Sequence, residues 1–151
     1  MNDFITNDII HLAEKSLNDG QSVRLTVVGN SMAPLFVGLR DSVTLKRLER
    51  PVKKYDIPLY KRSDGSAVLH TVVSLRGGVY LCRGDAQTGK PEEVLPHQII
   101  GTVVSYTRNG KEYSASGFRY KLYAVIHNRT FLFRKLSGKL KTIMIKKEES
   151  R

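Results

Sequence analysis

The sequence between residues 22 and 107 alternates short apolar runs with turn-forming residues, and this pattern constrains the fold most. In Val23-Arg24-Leu25-Thr26-Val27, apolar and polar side chains alternate, as in a strand with one buried face. Similar runs, bounded by turn-forming residues, occur at residues 42–48, 57–61, 67–75, 79–82 and 98–106. No helical segment separates these runs. The pattern therefore predicts a mainly β, antiparallel fold and not a doubly wound α/β sheet.

Glycine and proline residues indicate where the predicted strands turn and where one of them is restricted. Arg76-Gly77-Gly78 predicts a hairpin between the strands on either side of it. Arg108-Asn109-Gly110-Lys111 predicts a further turn. Pro58 has no backbone N–H to donate, so its strand must place it at an edge or a bulge.

Helical spacing occurs towards the two ends of the chain. Residues 4–19 predict a helix that ends at Asn18-Asp19-Gly20. Its apolar stripe consists of Ile9, Ile10, Leu12, Ala13 and Leu17. Residues 118–126 predict a short amphipathic helix, and residues 131–147 a second amphipathic stretch that is interrupted by Ser137-Gly138.

Positive charge is concentrated in the C-terminal part of the chain. The net charge is +11, and residues 111–151 hold 11 Lys and Arg against only Glu112, Glu148 and Glu149. Such a basic amphipathic segment is either a solvated face, a cover for the sheet edge, or a peripheral contact with anionic membrane or nucleic acid. No nucleic-acid-binding motif is present, so specific nucleic-acid recognition is not expected. The predicted organisation is an N-terminal helix at 1–21, a β domain at 22–107 and the basic segment at 108–151.

Several classes of protein are excluded by composition. The single cysteine, Cys82, forms neither an internal disulfide nor a multi-cysteine zinc site. The four histidines are too dispersed to indicate a metal cluster, and we expect no metal and no cofactor. No run reaches the about 18 consecutive apolar residues of a transmembrane helix. The N-terminus is acidic and lacks an apolar run behind a basic start, so no secretion signal is predicted and a cytoplasmic location is expected.

Three polar residues interrupt the β pattern at informative places. Ser31 lies in a turn after a strand, where its hydroxyl and a backbone N–H can face the same small volume, as a nucleophile and its oxyanion hole require. His70 is predicted in the middle of a strand, where its imidazole is held rigidly and can accept a proton near pH 7. Asp85 follows the next strand and is placed to orient that imidazole. Singly, each residue also fits a structural role, as a turn, packed or loop-capping residue.

The sequence around Ser31 resembles a known box. Val27-Val28-Gly29-Asn30-Ser31-Met32-Ala33-Pro34-Leu35 is similar to the Ser-Met-x-Pro box of type I signal peptidases and to the Gly-x-Ser-Met box of SOS repressor-type peptidases, which share a fold. Residues 56–60, 68–73, 83–87 and 99–103 resemble, in order, four boxes of the archaeal and endoplasmic-reticulum signal peptidase branch, in which histidine replaces a lysine base.

This resemblance implies a coiled antiparallel β-fold and a serine endopeptidase that cleaves a precursor, leader or signal-like peptide through an acyl-enzyme. It implies Ser31 as the nucleophile, His70 as the general base and Asp85 as the support of His70. The turn residues expected to support the oxyanion site are Gly29, Asn30, Met32 and Pro34.

The sequence departs from the family pattern at several positions. Some relatives carry a hydroxyl donor two residues before the nucleophile, where this chain has Gly29, and Thr71 replaces an arginine. A second aspartate after Asp85 is missing, since Glu92 and Glu93 are near its place but unaligned with it. Leu39 and Arg40 are inserted in the turn after Pro34, and no membrane anchor is expected.

These departures motivate an alternative function, in which a catalytically inactive module of the same fold binds an extended peptide as an added strand. Lys54 and Lys61 are alternative bases by analogy with the lysine branch, but they precede the box that His70 occupies.

Overall fold

The computed structural model describes residues 7–139. Its helices are α1 (Asn7–Asn18) and α2 (Phe118–Arg129), and residues 131–139 form a further helical segment, α3. Its strands are β1 (Val23–Thr26), β2 (Ser42–Lys46), β3 (Pro58–Lys61), β4 (Ala67–Leu69), β5 (Thr71–Arg76), β6 (Val79–Arg83), β7 (Glu92–Val94), β8 (Ile99–Arg108) and β9 (Lys111–Ser114). All strand pairings described are antiparallel, which confirms the mainly β, antiparallel prediction.

The larger sheet is a curled layer built around β8. Its strands are hydrogen-bonded in the order β1-β2-β8-β3-β4, and β9 also pairs with β8. The register shifts between Thr44 and Leu45 and between Leu59 and Tyr60, and such bulges increase the twist of a sheet. The two end strands, β1 and β4, line opposite sides of one apolar pocket, which shows how far the sheet curls. Pro58 is the first residue of β3, where the missing N–H is tolerated.

Both predicted turns are present as tight hairpin connections. Arg76 pairs with Val79 across Gly77 and Gly78, which both have positive φ, so this hairpin is confirmed. At Asn109-Gly110, also with positive φ, the turn is confirmed and returns the chain as β9, a strand that was not predicted.

The predicted strand at 67–75 is broken at His70. β4 ends at Leu69 in the larger sheet, and β5 begins at Thr71 in a smaller sheet of order β5-β6-β7. His70 is therefore the corner residue between two sheets and not a mid-strand residue. The prediction was wrong because a strand that changes sheets at a bend keeps its apolar pattern on both sides of that bend.

The helices cover different parts of the β structure. In α1, Ile10 and Leu17 are buried in the larger sheet's core and Ala13 is buried on the same helical face, whereas Ile9 and Leu12 of the predicted stripe are exposed. This confirms the N-terminal helix over the described residues, while residues 4–6 lie outside them. Gly101 in β8 permits the approach, since a Cβ there would lie 2.9 Å from Leu17 Cδ1.

The C-terminal helices differ from the prediction in extent and continuity. α2 extends to Arg129, and α3 continues through Ser137 and Gly138, so the predicted interruption is wrong. The rest of the predicted stretch, residues 140–147, lies outside the described residues. Within residues 7–139, no helix is both long and apolar enough to cross a bilayer.

Candidate active site

Ser31 lies in a compact turn that follows β1. Gly29 has a φ of 76°, a value that side chains disfavour, and a Cβ on Gly38 would lie 2.4 Å from the Gly29 carbonyl oxygen. The Met32 side chain is buried in the core directly below, while Ser31 itself stays partly exposed. The turn thus anchors its backbone and presents Ser31 at the surface of the β structure.

Asn30 and Pro34, the remaining predicted turn residues, also lie in this turn. Asn30 Oδ1 accepts a hydrogen bond of 3.3 Å from the Gly38 N–H, which ties the two ends of the turn together. The side chain of Pro34 is exposed at the far side of the turn.

His70 and Ser31 meet beside Gly84. A Cβ built on Gly84 would lie 2.5 Å from the Ser31 carbonyl oxygen and 3.1 Å from His70 Nε2, so both groups face the same point. The Ala86 N–H also donates to the Ser31 carbonyl oxygen at 2.9 Å, which binds the turn to the loop after β6. Only a glycine at position 84 leaves room for this approach.

The other nitrogen of the His70 ring is held by Tyr60 on β3. Tyr60 Oη lies 2.9 Å from His70 Nδ1 and donates its own proton to Glu92 Oε2 at 2.8 Å. A phenol has one proton, so the bond to the ring is made by Nδ1–H donating to Tyr60 Oη. In the neutral imidazole, Nε2 then carries the lone pair, and Nε2 is the nitrogen that faces Gly84 and Ser31.

Glu92 is held in its charged form by Arg62. The guanidinium donates to both carboxylate oxygens, at 2.7 Å to Oε1 and 2.8 Å to Oε2. These bonds, with a smaller contribution from Tyr60, hold the pKa of Glu92 below its usual value, and protonated His70 would lower it further. Burial and the neighbouring carboxylate raise the pKa of Tyr60, so its hydroxyl keeps its proton. Glu92, Tyr60 and His70 thus form a chain that joins the two sheets.

Asp85 lies nearby, but its carboxylate accepts hydrogen bonds from residues other than His70, which it was predicted to orient. Its Oδ1 accepts from the Thr71 hydroxyl at 2.9 Å, and its Oδ2 accepts from the Tyr123 hydroxyl at 2.7 Å. Burial raises its pKa against the effect of these bonds. The hydrogen bond at His70 Nδ1 is made by Tyr60 and not by Asp85, which was predicted to orient the imidazole. Thr71, at the position where the resembled sequence box has arginine, is accordingly a partner of Asp85.

An apolar pocket opens beside Ser31. It lies between the end strands of the curled sheet, and its lining includes Ser31, Met32, Leu25, Val27, Ala67 and Leu69. Lys54 and Lys61 are not part of this lining: Lys54 Nζ lies 5.0 Å from the centre of the Tyr55 ring, and Lys61 is exposed at the end of β3. Among residues 7–139, no group of three or more His, Cys, Asp and Glu side chains is placed to hold a metal ion.

Three members of this cluster, Tyr60, Arg62 and Glu92, were not assigned roles from the sequence. In the sequence, Glu92 is only an acid near the place of an expected aspartate, and the residues around Tyr60 have the pattern of an ordinary strand. No family model matches the chain, and no curated protein matches it. The function proposed for this site therefore rests on its geometry and on the resemblance of its sequence boxes.

Proposed function

We propose that this protein is a serine endopeptidase of the signal peptidase and SOS-repressor type, with Ser31 as nucleophile and His70 as general base. One observation carries the proposal: the Ser31 backbone and His70 Nε2 face the same point beside Gly84, while Nδ1–H is bonded to Tyr60. This tautomer leaves Nε2 as the proton acceptor on the side of the nucleophile. The curled antiparallel sheet and the ordered sequence boxes further support the assignment.

The proposed reaction is an acyl transfer in two steps. As Ser31 Oγ attacks the scissile carbonyl carbon, its proton passes to His70 Nε2, and the carbonyl π electrons move onto oxygen, which the Ser31 N–H stabilises. Collapse breaks the C–N bond, and the leaving nitrogen takes the proton from Nε2, which leaves an ester on Ser31. Water then attacks this ester with the same proton transfers, releases the new carboxyl end and restores Ser31.

Glu92 takes the supporting role that was predicted for Asp85. When His70 is protonated, the negative charge of Glu92 stabilises it through Tyr60, and the two hydrogen bonds fix the plane of the ring. Asp85 instead orders the loop at Gly84–Ala86, whose N–H at Ala86 holds the Ser31 carbonyl. In this mechanism Asp85 is a positioning residue.

The pocket favours an extended peptide with an apolar side chain near the scissile bond. β1 and β4 end the sheet on either side of the pocket, so each offers backbone groups with which a substrate strand can pair. The aliphatic lining next to Ser31 would remove an apolar side chain from water.

The proposal is tested with a peptide library made from a digested proteome, with new ends detected by mass spectrometry. Wild-type protein is expected to cleave a subset of peptides, and Ser31→Ala and His70→Ala to abolish this cleavage. Ser137→Ala, at an exposed serine, is the matched control and should cleave like wild type. Cleavage unchanged by Ser31→Ala, or no cleavage by wild type, would refute the proposal. If wild type retains peptides without cleaving them, the binding-module alternative is supported instead.

A further inference from the structure

α2 is apolar on two opposite faces, and the described part of the chain covers only one of them. Tyr120 and Ala124 are buried on the inner face. On the other side, at steps of four residues, Phe118, Leu122 and Ile126 are exposed, and Phe118 is 78 % accessible. A helix whose apolar residues surround it is normally covered on all sides, so this outer face has the composition of a contact surface.

α3 repeats this arrangement directly beside the candidate site. Its inner side is fixed by Phe131, which lies 3.5 Å from the guanidinium of Arg83, and by Arg134, which donates to the Asp85 carbonyl at 2.9 Å. Its outer side carries Leu132, Phe133 and Leu136, which fall within about a third of the helix circumference at the helical spacing. All three are exposed, Phe133 at 75 %.

Within α2 and α3, Lys and Arg residues stand among these outer residues in the sequence, and neither described helix contains an acidic residue. Residues 113–147 contain nine Lys and Arg and neither Asp nor Glu. In the described helices these cations include Arg119, Lys121, Arg129, Lys135 and Lys139.

We propose that the outer faces of α2 and α3 dock on an anionic phospholipid bilayer. Large apolar side chains among cations match an interface in which acyl chains lie below charged headgroups. Nucleic acid would meet the cations but would leave Phe118, Leu132 and Phe133 in water. A second copy of this chain would bring its own +11 charge to the same surface.

Docking would bring the loop at Asp85 to within about one helix diameter, roughly 10 Å, of the bilayer surface, because the inner side of α3 holds the carbonyl of that residue. The proposal does not depend on catalysis by Ser31, and binding is measured without a substrate.

The first experiment is cosedimentation of the full chain with vesicles of phosphatidylcholine alone or mixed with phosphatidylglycerol. We expect the chain to bind the anionic vesicles, and to bind the neutral vesicles at least about tenfold more weakly. We also expect weakening between about 0.1 M and about 1 M salt, where the screening length falls from about 10 Å to about 3 Å. Duplex DNA and single-stranded RNA are tested in parallel.

Two variants locate the surface. The triple substitutions Leu132→Ser, Phe133→Ser, Leu136→Ser and Phe118→Ser, Leu122→Ser, Ile126→Ser remove exposed side chains, so folding should be preserved. Each should weaken vesicle binding by about tenfold or more, since each removes three apolar anchors. The matched control replaces three other exposed residues, Leu12→Ser, Leu75→Ser and Leu95→Ser, and should bind like wild type.

A second measurement uses the absence of tryptophan from the chain. Phe133→Trp introduces a single fluorophore, whose emission should shift to the blue on addition of anionic vesicles, whereas that of Leu75→Trp should not. A tenfold loss in either triple variant, or the blue shift, supports the proposal. No vesicle binding, binding only to nucleic acid, or equal binding by wild type and both triple variants would overturn it.

Discussion

Replacing Glu92 with Gln tests whether the chain from Glu92 through Tyr60 supports His70. The substitution keeps the shape of the side chain and an oxygen that accepts from Tyr60. It removes the negative charge that Arg62 and protonated His70 both stabilise.

The size of the effect follows from the distances. Two hydrogen bonds, of 2.8 Å and 2.9 Å, lie between the Glu92 carboxylate and His70 Nδ1. At roughly 5–6 Å and an effective dielectric constant of about 20, opposite unit charges attract by about 3 kcal/mol. Glu92 is partly exposed and already paired with Arg62, so we take about a third of this value, about 1 kcal/mol. That energy corresponds to about 0.7 pH unit and about fivefold in rate.

The sign follows from the role of His70 as a base. The carboxylate favours protonated imidazole, so without it the proton leaves His70 at lower pH. The acidic limb of kcat/KM should therefore move to lower pH by about 0.7 unit. At the plateau, kcat/KM should fall about fivefold, because the imidazolium formed in the transition state is less stabilised.

The assay is the pH profile of kcat/KM for a peptide that wild type cleaves. Glu93→Gln is the matched control, since it makes the same change at the adjacent, exposed residue. An acidic limb that stays in place in Glu92→Gln, or moves equally in Glu93→Gln, would refute the support of His70 by Glu92.

The same variant has a consequence for stability. Arg62 lowers the pKa of folded Glu92, so this carboxylate stabilises the fold above its unfolded pKa of about 4.3 and loses that effect as the pH falls through the folded pKa. Urea unfolding should therefore show a smaller loss of stability on acidification for Glu92→Gln than for wild type or Glu93→Gln. Equal losses in all three proteins would contradict this expectation.

Two further predictions concern buried positions. Gly84→Ala would place a Cβ 2.5 Å from the Ser31 carbonyl oxygen, so we expect about 1–3 kcal/mol lower stability in urea unfolding and loss of peptide cleavage. Gly89→Ala serves as the control, because a Cβ there has no neighbour within 4 Å. Equal behaviour of the two variants would contradict the close approach of Ser31 and His70 to Gly84. Burial raises the pKa of the Cys82 thiol to about 12, so a disulfide reagent should label it only after unfolding, and rapid labelling of the native protein would show the opposite.

Local features of the sequence were sufficient for much of the β framework. The hairpin at Gly77-Gly78 and the turn at Asn109-Gly110 were predicted because these residues adopt positive φ at little cost. The helix that is observed as α1 was predicted from apolar residues at helical spacing, of which Ile10, Ala13 and Leu17 form the buried face. β7 was missed because Glu92-Glu93-Val94 has neither the length nor the β-branched composition of an isolated strand signal.

The candidate site could be predicted only in part from the sequence. Ser31 and His70 were selected because of the turn chemistry around one and the apolar strand residues around the other. The support of His70 was assigned to Asp85, which follows the next strand in the chain. The structure instead brings Glu92 to Tyr60 from 32 residues away.

The sequence by itself determined where the main turns lie, that most of the apolar runs form strands, and which end of the chain is basic, because each of these follows from residues close together in the chain. Only the tertiary structure decided that the chain changes sheets at His70 and that Tyr60 and Glu92 meet its Nδ1 side. The physical reason is that these contacts depend on how two sheets pack, and the pairing of distant strands leaves no periodic signal at the residues that finally touch.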